Sequence, residues 1–262
     1  MGVLNLTPDS FFSGSRMDSV QAVVDCAGKM LEEGASIIDV GGQSTRPGSE
    51  VVSAKEELER ISEGIEALCR HFPEIIISAD TYHSEVARGA VSAGASIIND
   101  ISGGEMDENM LTTVGELNVP FICMHMQGTP QTMQLNPHYE NVVREVLDYF
   151  IKKVEQCRKA DIRDVIIDPG FGFGKHPEHN YRLLKNLNVF QMLERPVLAG
   201  LSRKSMIYKL LKITPEEALN GTTALNTIAL MNGAAILRVH DVKEAMEVIK
   251  LTEFLKNSDL ND

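Results

Sequence analysis

Acidic and amide side chains recur at one kind of position in this 262-residue sequence, directly at the end of short apolar runs. Asp80, Asn99 and Asp168 each end such a run. Carboxylate and amide oxygens that point into one cavity can accept hydrogen bonds from the donor edge of a flat nitrogen heterocycle. A single aspartate at the end of a strand often only caps the next helix, but three polar ends on separate runs favour a shared binding site.

Basic side chains occupy equivalent positions, and they point to an anion. Arg46 and Lys204 follow two other apolar runs, and Arg238 is two residues before His240. Residues two apart on a strand face the same way, so Arg238 and His240 can face one ligand. Guanidinium groups match the oxygens of phosphates. Together the two sets predict a nitrogen heterocycle that carries a phosphorylated leaving group.

Eight apolar, β-branched runs predict the strands that position these residues. Ile37 and Ile38, or Ile97 and Ile98, are apolar at consecutive positions, which is typical of strands covered on both faces. The predicted strands are Val3–Leu6, Ser36–Gly42, Ile75–Asp80, Ser96–Ile101, Phe121–Met126, Val165–Asp168, Val197–Leu201 and Ala234–Val239.

Amphipathic segments alternate with these runs and predict eight helices. They are Ser19–Glu33, Glu56–His71, Glu85–Ala93, Glu108–Asn118, Tyr139–Ala160, Tyr181–Leu193, Glu216–Met231 and Val242–Leu255. Strands that alternate with helices predict an α/β fold with a parallel sheet. Eight units in 262 residues favour a single (β/α)8 TIM barrel, with an open doubly wound sheet as the alternative. In such barrels the active site lies at the C-terminal ends of the strands, where the polar residues fall.

Composition narrows the class of protein. A net charge of −12 excludes the broad basic surface of a nucleic-acid binder. The four cysteines are irregularly spaced, which argues against a disulfide framework or a zinc site and fits the cytoplasm. We find no linker, signal peptide or membrane-length apolar run, so we expect one domain over 1–262 and no membrane partner. Because the chain enters its first strand directly after Met1, a few natural N-terminal residues are expected to precede it.

The motifs at the strand ends resemble those of the dihydropteroate synthases, which belong to the pterin-binding enzymes. Eight of them occur in order along almost the whole chain. They are the segments 1–11, 38–48, 78–81, 98–100, 124–126, 168–175, 202–205 and 238–240. The resemblance implies a transferase of folate biosynthesis, which joins 6-hydroxymethyl-7,8-dihydropterin pyrophosphate to p-aminobenzoate to give 7,8-dihydropteroate and pyrophosphate.

The resemblance also implies a role for individual residues. The residues that it implies for pterin binding are Asp80, Asn99, Met124, Asp168, Gly200, Lys204 and Arg238. Pyrophosphate binding falls on Asn5, Thr45, Arg46, Arg238 and His240. The p-aminobenzoate pocket, where sulfonamides compete, falls on Phe11, Pro47, Phe173, Lys204 and Ser205. Asp80, Lys204 and Arg238 are the expected catalytic residues, Asn5 is the expected contact to Mg²⁺, and a homodimer through late helices is expected.

One motif departs from the family pattern. The first loop reads Ser10-Phe11-Phe12-Ser13-Gly14-Ser15, and the carboxylate expected at Ser13 is missing. How this loop closes over pyrophosphate is therefore open, and so are two other functions. One is a methyltransferase that moves a methyl group from a reduced folate to a corrinoid protein. The other is a pterin-binding paralogue without catalytic activity.

A glycine-rich segment, Gly170–Lys175, superficially resembles a phosphate-binding loop. It lacks the G-x-x-x-x-G-K-[ST] pattern at its first glycine and at its last position. We therefore expect a flexible barrel loop that exposes Phe173 to a ligand, and a structural role for His125.

Overall fold

A computed structural model of the protein describes residues 1–6, 16–43 and 52–258. Four of the expected site residues lie outside these ranges, as does the variant first loop at Phe12 and Ser13. The four are Phe11, Thr45, Arg46 and Pro47.

Within the described residues, strands and helices alternate along the chain. The strands are β1 (Gly2–Asn5), β2 (Ile38–Gly41), β3 (Ile77–Asp80), β4 (Ile97–Asp100), β5 (Phe121–Met124), β6 (Val165–Asp168), β7 (Leu198–Ala199) and β8 (Ile236–Leu237). The α-helices are α1 (Arg16–Glu32), α2 (Ala54–His71), α3 (Ser84–Ala93), α4 (Met110–Leu117), α5 (Val142–Lys159), α6 (Pro177–Lys185), α7 (Ser205–Leu211), α8 (Leu219–Met231) and α9 (Val242–Asn257).

The strands close into a barrel. β1 to β6 form a parallel sheet in chain order, and β7 pairs in parallel with β8. Two isolated parallel bridges join these parts: Ile167 with Val197, and Gly2 with Val239. The second bridge connects the last strand to the first, so the sheet has no open edge. This confirms the predicted (β/α)8 barrel and excludes the open doubly wound sheet.

Consecutive apolar positions do face two different cores. Ile98 belongs to the large cluster between strands and helices, whereas its neighbour Ile97 lies inside the barrel with Ile122 and Leu198. Every strand therefore buries both faces, and this explains why its apolar residues do not alternate with polar ones.

The structure differs from the predicted elements at several bounds, in one divided helix and in one additional helix. Strand β3, for example, begins at Ile77, although the carbonyl of Ile76, which is 43% exposed, still accepts a hydrogen bond from Ile38 on β2. The predicted helix Tyr181–Leu193 is α6 followed by a 3-10 helix, Leu187–Leu193, with Pro177 at the start of α6. The helix α7 was not predicted; its seven residues are too few to show a clear helical period. Among the described helices, none is long and apolar enough to cross a membrane.

Candidate active site

The polar residues of the site form one layer inside the barrel. Strand pairing aligns Asn5 with Gly41, Gly41 with Asp80, and Asp80 with Asn99. These four positions therefore stand side by side on β1 to β4. The remaining strands add Met124 on β5 and Asp168 at the end of β6.

The position of this layer follows from the period of a strand. Asn99 is two residues after Ile97, and Met124 is two residues after Ile122, so each faces the inside of the barrel directly above the inner apolar core. The same step relates Asp168 to Ile166, Gly200 to Leu198, and Arg238 to Ile236. The apolar layer closes the barrel below, and the polar layer opens at the C-terminal ends of the strands.

Arg238 bridges two buried carboxylates, Asp80 in this layer and Asp39 one step below it. Its Nε donates to Asp39 Oδ2 at 2.6 Å, and its Nη2 donates to Asp80 Oδ2 at 2.7 Å. Asn99 Nδ2 lies 3.3 and 3.2 Å from the two oxygens of Asp39. Asp39 is fully buried, so its oxygens need these donors as hydrogen-bond partners. The sequence predicted that the guanidinium of Arg238 binds an anion. In the structure, two of its nitrogens instead bind carboxylates of the protein itself.

Asp39 is the site residue that the sequence analysis missed. Asp39 lies on the inner face of β2, two residues before Gly41. Because Gly41 pairs with Asp80, Asp39 is one layer below Asp80. The same two-residue period could have identified it, since an aspartate at an inward position of a buried strand needs a partner.

Burial sets the electrostatics of the two expected pterin carboxyls. It raises the pKa of Asp80 to about 7, with Asp39 adding to the rise and Arg238 opposing it. Burial also raises the pKa of Asp168, and Lys204 opposes that rise. Asp168 Oδ1 accepts a hydrogen bond from the main-chain N–H of Gly170 at 2.8 Å. In both groups, burial therefore favours the neutral form, and the neighbouring cations favour the carboxylate.

Lys204 contacts the loop that follows β6. Its Nζ donates to the carbonyl oxygen of Phe171 and lies 4.8 Å from the centre of the Phe173 ring. Burial lowers the pKa of Lys204 to about 8, while Asp168 raises it. Ser205 begins α7 directly after Lys204, so three of the expected p-aminobenzoate residues, Phe173, Lys204 and Ser205, lie at this side of the mouth.

The loop after β6 is anchored by a buried lysine, contrary to the expected flexible loop. Lys175 Nζ lies 2.9 Å from Gly170 O, 3.0 Å from Phe173 O, and 3.2 Å from His125 O. It also lies 2.9 Å from His125 Nδ1. Burial, and then Lys175, lowers the pKa of His125 well below its usual value. The structural role expected of His125 is in keeping with these contacts.

His240 lies at the outer edge of the layer. It is exposed, and its Nδ1 lies 3.1 Å from Ser202 Oγ. The guanidinium of Arg238 reaches instead toward Asp39 and Asp80, so the described contacts do not place the two side chains on one shared group. Their common pyrophosphate site stays a prediction.

The described residues fit a weakly held magnesium ion better than a preformed metal cage. They contain no cluster of three or more His, Cys, Asp or Glu side chains that could hold a metal. Mg²⁺ commonly takes only one or two protein ligands and completes its shell with water and substrate phosphates. Asn5 has an amide oxygen of the kind that Mg²⁺ binds, and an added Cβ at Gly41 would lie 3.7 Å from that Oδ1. The missing side chain leaves room there.

Comparisons with known proteins agree with this geometry. Residues 1–240 match the family described as pterin binding enzyme. The chain is 47% identical over 255 residues to the dihydropteroate synthase of Escherichia coli strain K12, covering 97% of this chain and 90% of that protein. It is 45% identical over 260 residues to the dihydropteroate synthase of Haemophilus influenzae, covering 98% and 94%.

Solved structures give the same result. A Yersinia pestis dihydropteroate synthase in a sulfonamide drug complex superposes with a TM-score of 0.92 at 40% identity, covering 98% of this chain and 94% of that one. A Xanthomonas albilineans dihydropteroate synthase with 4-aminobenzoic acid gives 0.91 at 39% identity, covering 98% and 92%. The chain therefore belongs to the pterin-binding enzyme family and, within it, to the dihydropteroate synthases.

Proposed function

We propose that the protein condenses 6-hydroxymethyl-7,8-dihydropterin pyrophosphate with p-aminobenzoate, releasing 7,8-dihydropteroate and pyrophosphate. The observation that carries the proposal is the polar layer at the barrel mouth, where Asp80, Asn99 and Asp168 stand above an apolar floor. Buried oxygens of this kind suit the N–H edge of a pterin ring. Relatives with the same fold were solved with 4-aminobenzoic acid and with 7,8-dihydropteroate.

The reaction breaks the bond between the pterin methylene carbon and a pyrophosphate oxygen, and forms a carbon–nitrogen bond. Positive charge that develops on the methylene is stabilised by the Asp80 and Asp168 carboxylates, and Lys204 and Arg238 hold the ring in place. Met124 and Gly200 shape the slot around it. The arylamine nitrogen attacks and then loses a proton. No side-chain nucleophile is needed, so positioning and electrostatics account for the rate.

The remaining predicted site residues bind the pyrophosphate leaving group and the second substrate, p-aminobenzoate. Thr45, Arg46 and His240 bind the pyrophosphate, and Phe11, Pro47, Phe173 and Ser205 surround p-aminobenzoate, where sulfonamides would compete. A bound magnesium ion would neutralise charge on the departing pyrophosphate. Asn5 would hold that ion with one amide oxygen.

The decisive experiment is a pyrophosphate-release assay with the pterin pyrophosphate, with and without p-aminobenzoate, at several magnesium concentrations. The proposal expects release that depends on p-aminobenzoate and yields dihydropteroate. No release with both substrates would contradict it, as expected of a silent paralogue. Methyl transfer from a reduced folate to a corrinoid would support the methyltransferase instead. No observation on the described residues favours either alternative.

We further propose that the protein is a cytoplasmic homodimer of one-domain subunits. The outer faces of α8 and α9 carry exposed apolar side chains: Ile228, Met231, Leu251, Phe254 and Leu255. Leu251 is 72% exposed and Phe254 is 80% exposed. Exposed apolar side chains that lie together on a surface mark interfaces between proteins, and we propose that these five do so. A second copy of the same chain would cover it.

A further inference from the structure

A fully buried glutamate lies behind the mouth of the barrel and has no part in the proposed chemistry. Glu57 is on α2 and is 0% exposed. Its Oε2 accepts a hydrogen bond from Gln43 Nε2 at 3.0 Å. Its Oε1 is buried and, among the described residues, has no hydrogen-bond partner. The nearest guanidinium, Arg60, donates instead to Gly42 O and to Glu56.

The hydrogen bonds continue from Glu57 into the site. The hydroxyl of Tyr82 donates to Gln43 Oε1 at 3.0 Å, and Gln43 in turn donates to Glu57. The three side chains therefore form a hydrogen-bonded series in which each residue donates to the next. An amide has one acceptor end and one donor end. Because the tyrosine uses the acceptor end, the donor end of Gln43 must meet an acceptor, and Glu57 is that acceptor.

The ring of Tyr82 connects this hydrogen-bonded series to the proposed substrate site. Tyr82 is 5% exposed and packs in a small apolar cluster with Ile101 and Met124, against which Phe173 also packs. Met124 is an expected wall of the pterin slot, and Phe173 an expected wall of the p-aminobenzoate pocket. A shift of the Tyr82 ring therefore moves both walls.

We infer that Glu57 is a positioning residue for the proposed synthase reaction, acting through Gln43 and Tyr82 on the apolar walls formed by Met124 and Phe173. The inference rests on the proposed function, and it assigns Glu57 no contact with substrate. An acceptor is required at this position, but a charge is not, since within residues 1–6, 16–43 and 52–258 no cation forms an ion pair with the carboxyl.

The surroundings of Glu57 favour its neutral form. Burial raises its pKa to about 8. The Thr81 side chain on the β3 side and Arg60 on the same helix lower it, whereas Asp80 and Asp100 at the ends of β3 and β4 raise it. At neutral pH the carboxyl thus behaves like an amide, which makes glutamine the matched substitution.

The test compares Glu57→Ala, Glu57→Gln and Tyr82→Phe with wild type, and uses Glu59→Gln, an exposed position on the same helix, as control. We expect Glu57→Gln to keep kcat/KM within about twofold at pH 7, and Glu57→Ala to lose at least about tenfold. Tyr82→Phe, which removes one hydroxyl, should lose about threefold or more. The losses should appear in KM and in pterin affinity measured by calorimetry, with kcat less affected.

A thermal measurement tests whether the buried carboxyl is neutral, and therefore whether glutamine is its matched substitution. The ordinary pKa of the glutamate is 4.5, so between that value and about 8 the folded protein keeps a proton that the unfolded chain loses. Wild-type stability therefore falls as pH rises through this window. Glutamine does not titrate, so the Tm of Glu57→Gln relative to wild type should increase from pH 5 to pH 8.

Three results would overturn the inference. They are unchanged constants in Tyr82→Phe, a loss in Glu57→Gln as large as in Glu57→Ala, or a Tm difference between Glu57→Gln and wild type that does not vary with pH. If Glu57→Ala fails to fold, the other two variants decide. If wild type shows no turnover, the proposed function fails, and the pterin affinities still test the inference separately.

Discussion

At the scale of single residues, Asp168 shows how one carboxylate serves both the fold and the site. One of its oxygens accepts the main-chain N–H of Gly170 and so fixes the start of the loop. In the proposed pterin site, the other oxygen accepts a hydrogen bond from the ligand. A neutral amide could keep the first bond but would weaken the second.

We therefore predict that Asp168→Asn folds normally but loses pterin affinity. Losing a charge-assisted hydrogen bond in a buried site costs about 1.5–3 kcal/mol, or about tenfold or more in Kd. Calorimetric titration with a pterin measures the loss. Asp164→Asn, at an exposed position near the opposite end of β6, is the control. Equal affinity in Asp168→Asn and wild type would remove Asp168 from the pterin site.

Arg238 is the residue whose role the structure changes most. Two of its nitrogens tie Asp39 and Asp80 together, so its planar fork organises the carboxylates of the layer. Lysine offers a point charge on a flexible chain and cannot reproduce this geometry.

We predict that Arg238→Lys lowers turnover at least about tenfold, equivalent to about 1.4 kcal/mol of transition-state stabilisation. The measurement is steady-state pyrophosphate release, with Arg195→Lys, an exposed position before β7, as control. Near-wild-type turnover would show that the two carboxylates do not need a bridging guanidinium.

At the scale of elements, the loop after β6 depends on a lysine that belongs to the loop itself. Lys175 is 3% exposed, and its Nζ donates to the carbonyl of His125, directly after β5, and to two carbonyls of the loop. Tyr139 and Gln134 add hydrogen bonds to Gly174 O and Gly172 O from the preceding connection. Phe173 is thereby presented at the mouth by a fixed loop.

We predict that Lys175→Met lowers the free energy of unfolding by about 3 kcal/mol, because several buried acceptors lose their donor. It should also raise the KM for p-aminobenzoate severalfold through displacement of Phe173. Thermal unfolding and steady-state kinetics measure the two effects, and Lys185→Met at the exposed end of α6 is the control. A KM that stays at the wild-type value would show that the contacts of Lys175 do not position the p-aminobenzoate pocket.

At the scale of the whole molecule, the two ends of the barrel and its outer surface have different roles. The polar layer lies at the C-terminal ends of the strands, as in other barrels of this type. The exposed apolar faces of α8 and α9 lie on the outside and take no part in the described site contacts. Because the protein is strongly acidic, with a net charge of −12, burying an uncharged face is the favourable way to join two copies.

We predict that the double variant Leu251→Asp/Phe254→Asp is monomeric in solution, whereas wild type is dimeric. Placing two carboxylates in an apolar interface leaves them without partners. Sedimentation velocity measures the mass, and Ile151→Asp, a half-exposed apolar position on α5, is the control. A monomeric wild type would contradict the proposed dimer.

The sequence by itself determined the barrel and the general position of its site. Apolar residues at consecutive positions, such as Ile97 and Ile98, showed that each strand is covered on both faces. The polar strand ends, Asp80, Asn99 and Asp168, then had to meet at one mouth, because parallel strands end on the same side. These inferences depend only on the two-residue period of a strand and on the order of the elements.

Only the tertiary structure decided which polar groups satisfy each other. Arg238 reaches Asp39 from the opposite end of the chain, and Lys175 turns inward to bind carbonyls. Glu57 connects to Tyr82 through Gln43 across three separate elements. Such partners are set by the curvature and closure of the sheet, which bring residues of distant sequence positions within hydrogen-bond distance. No local pattern in the sequence encodes these distances.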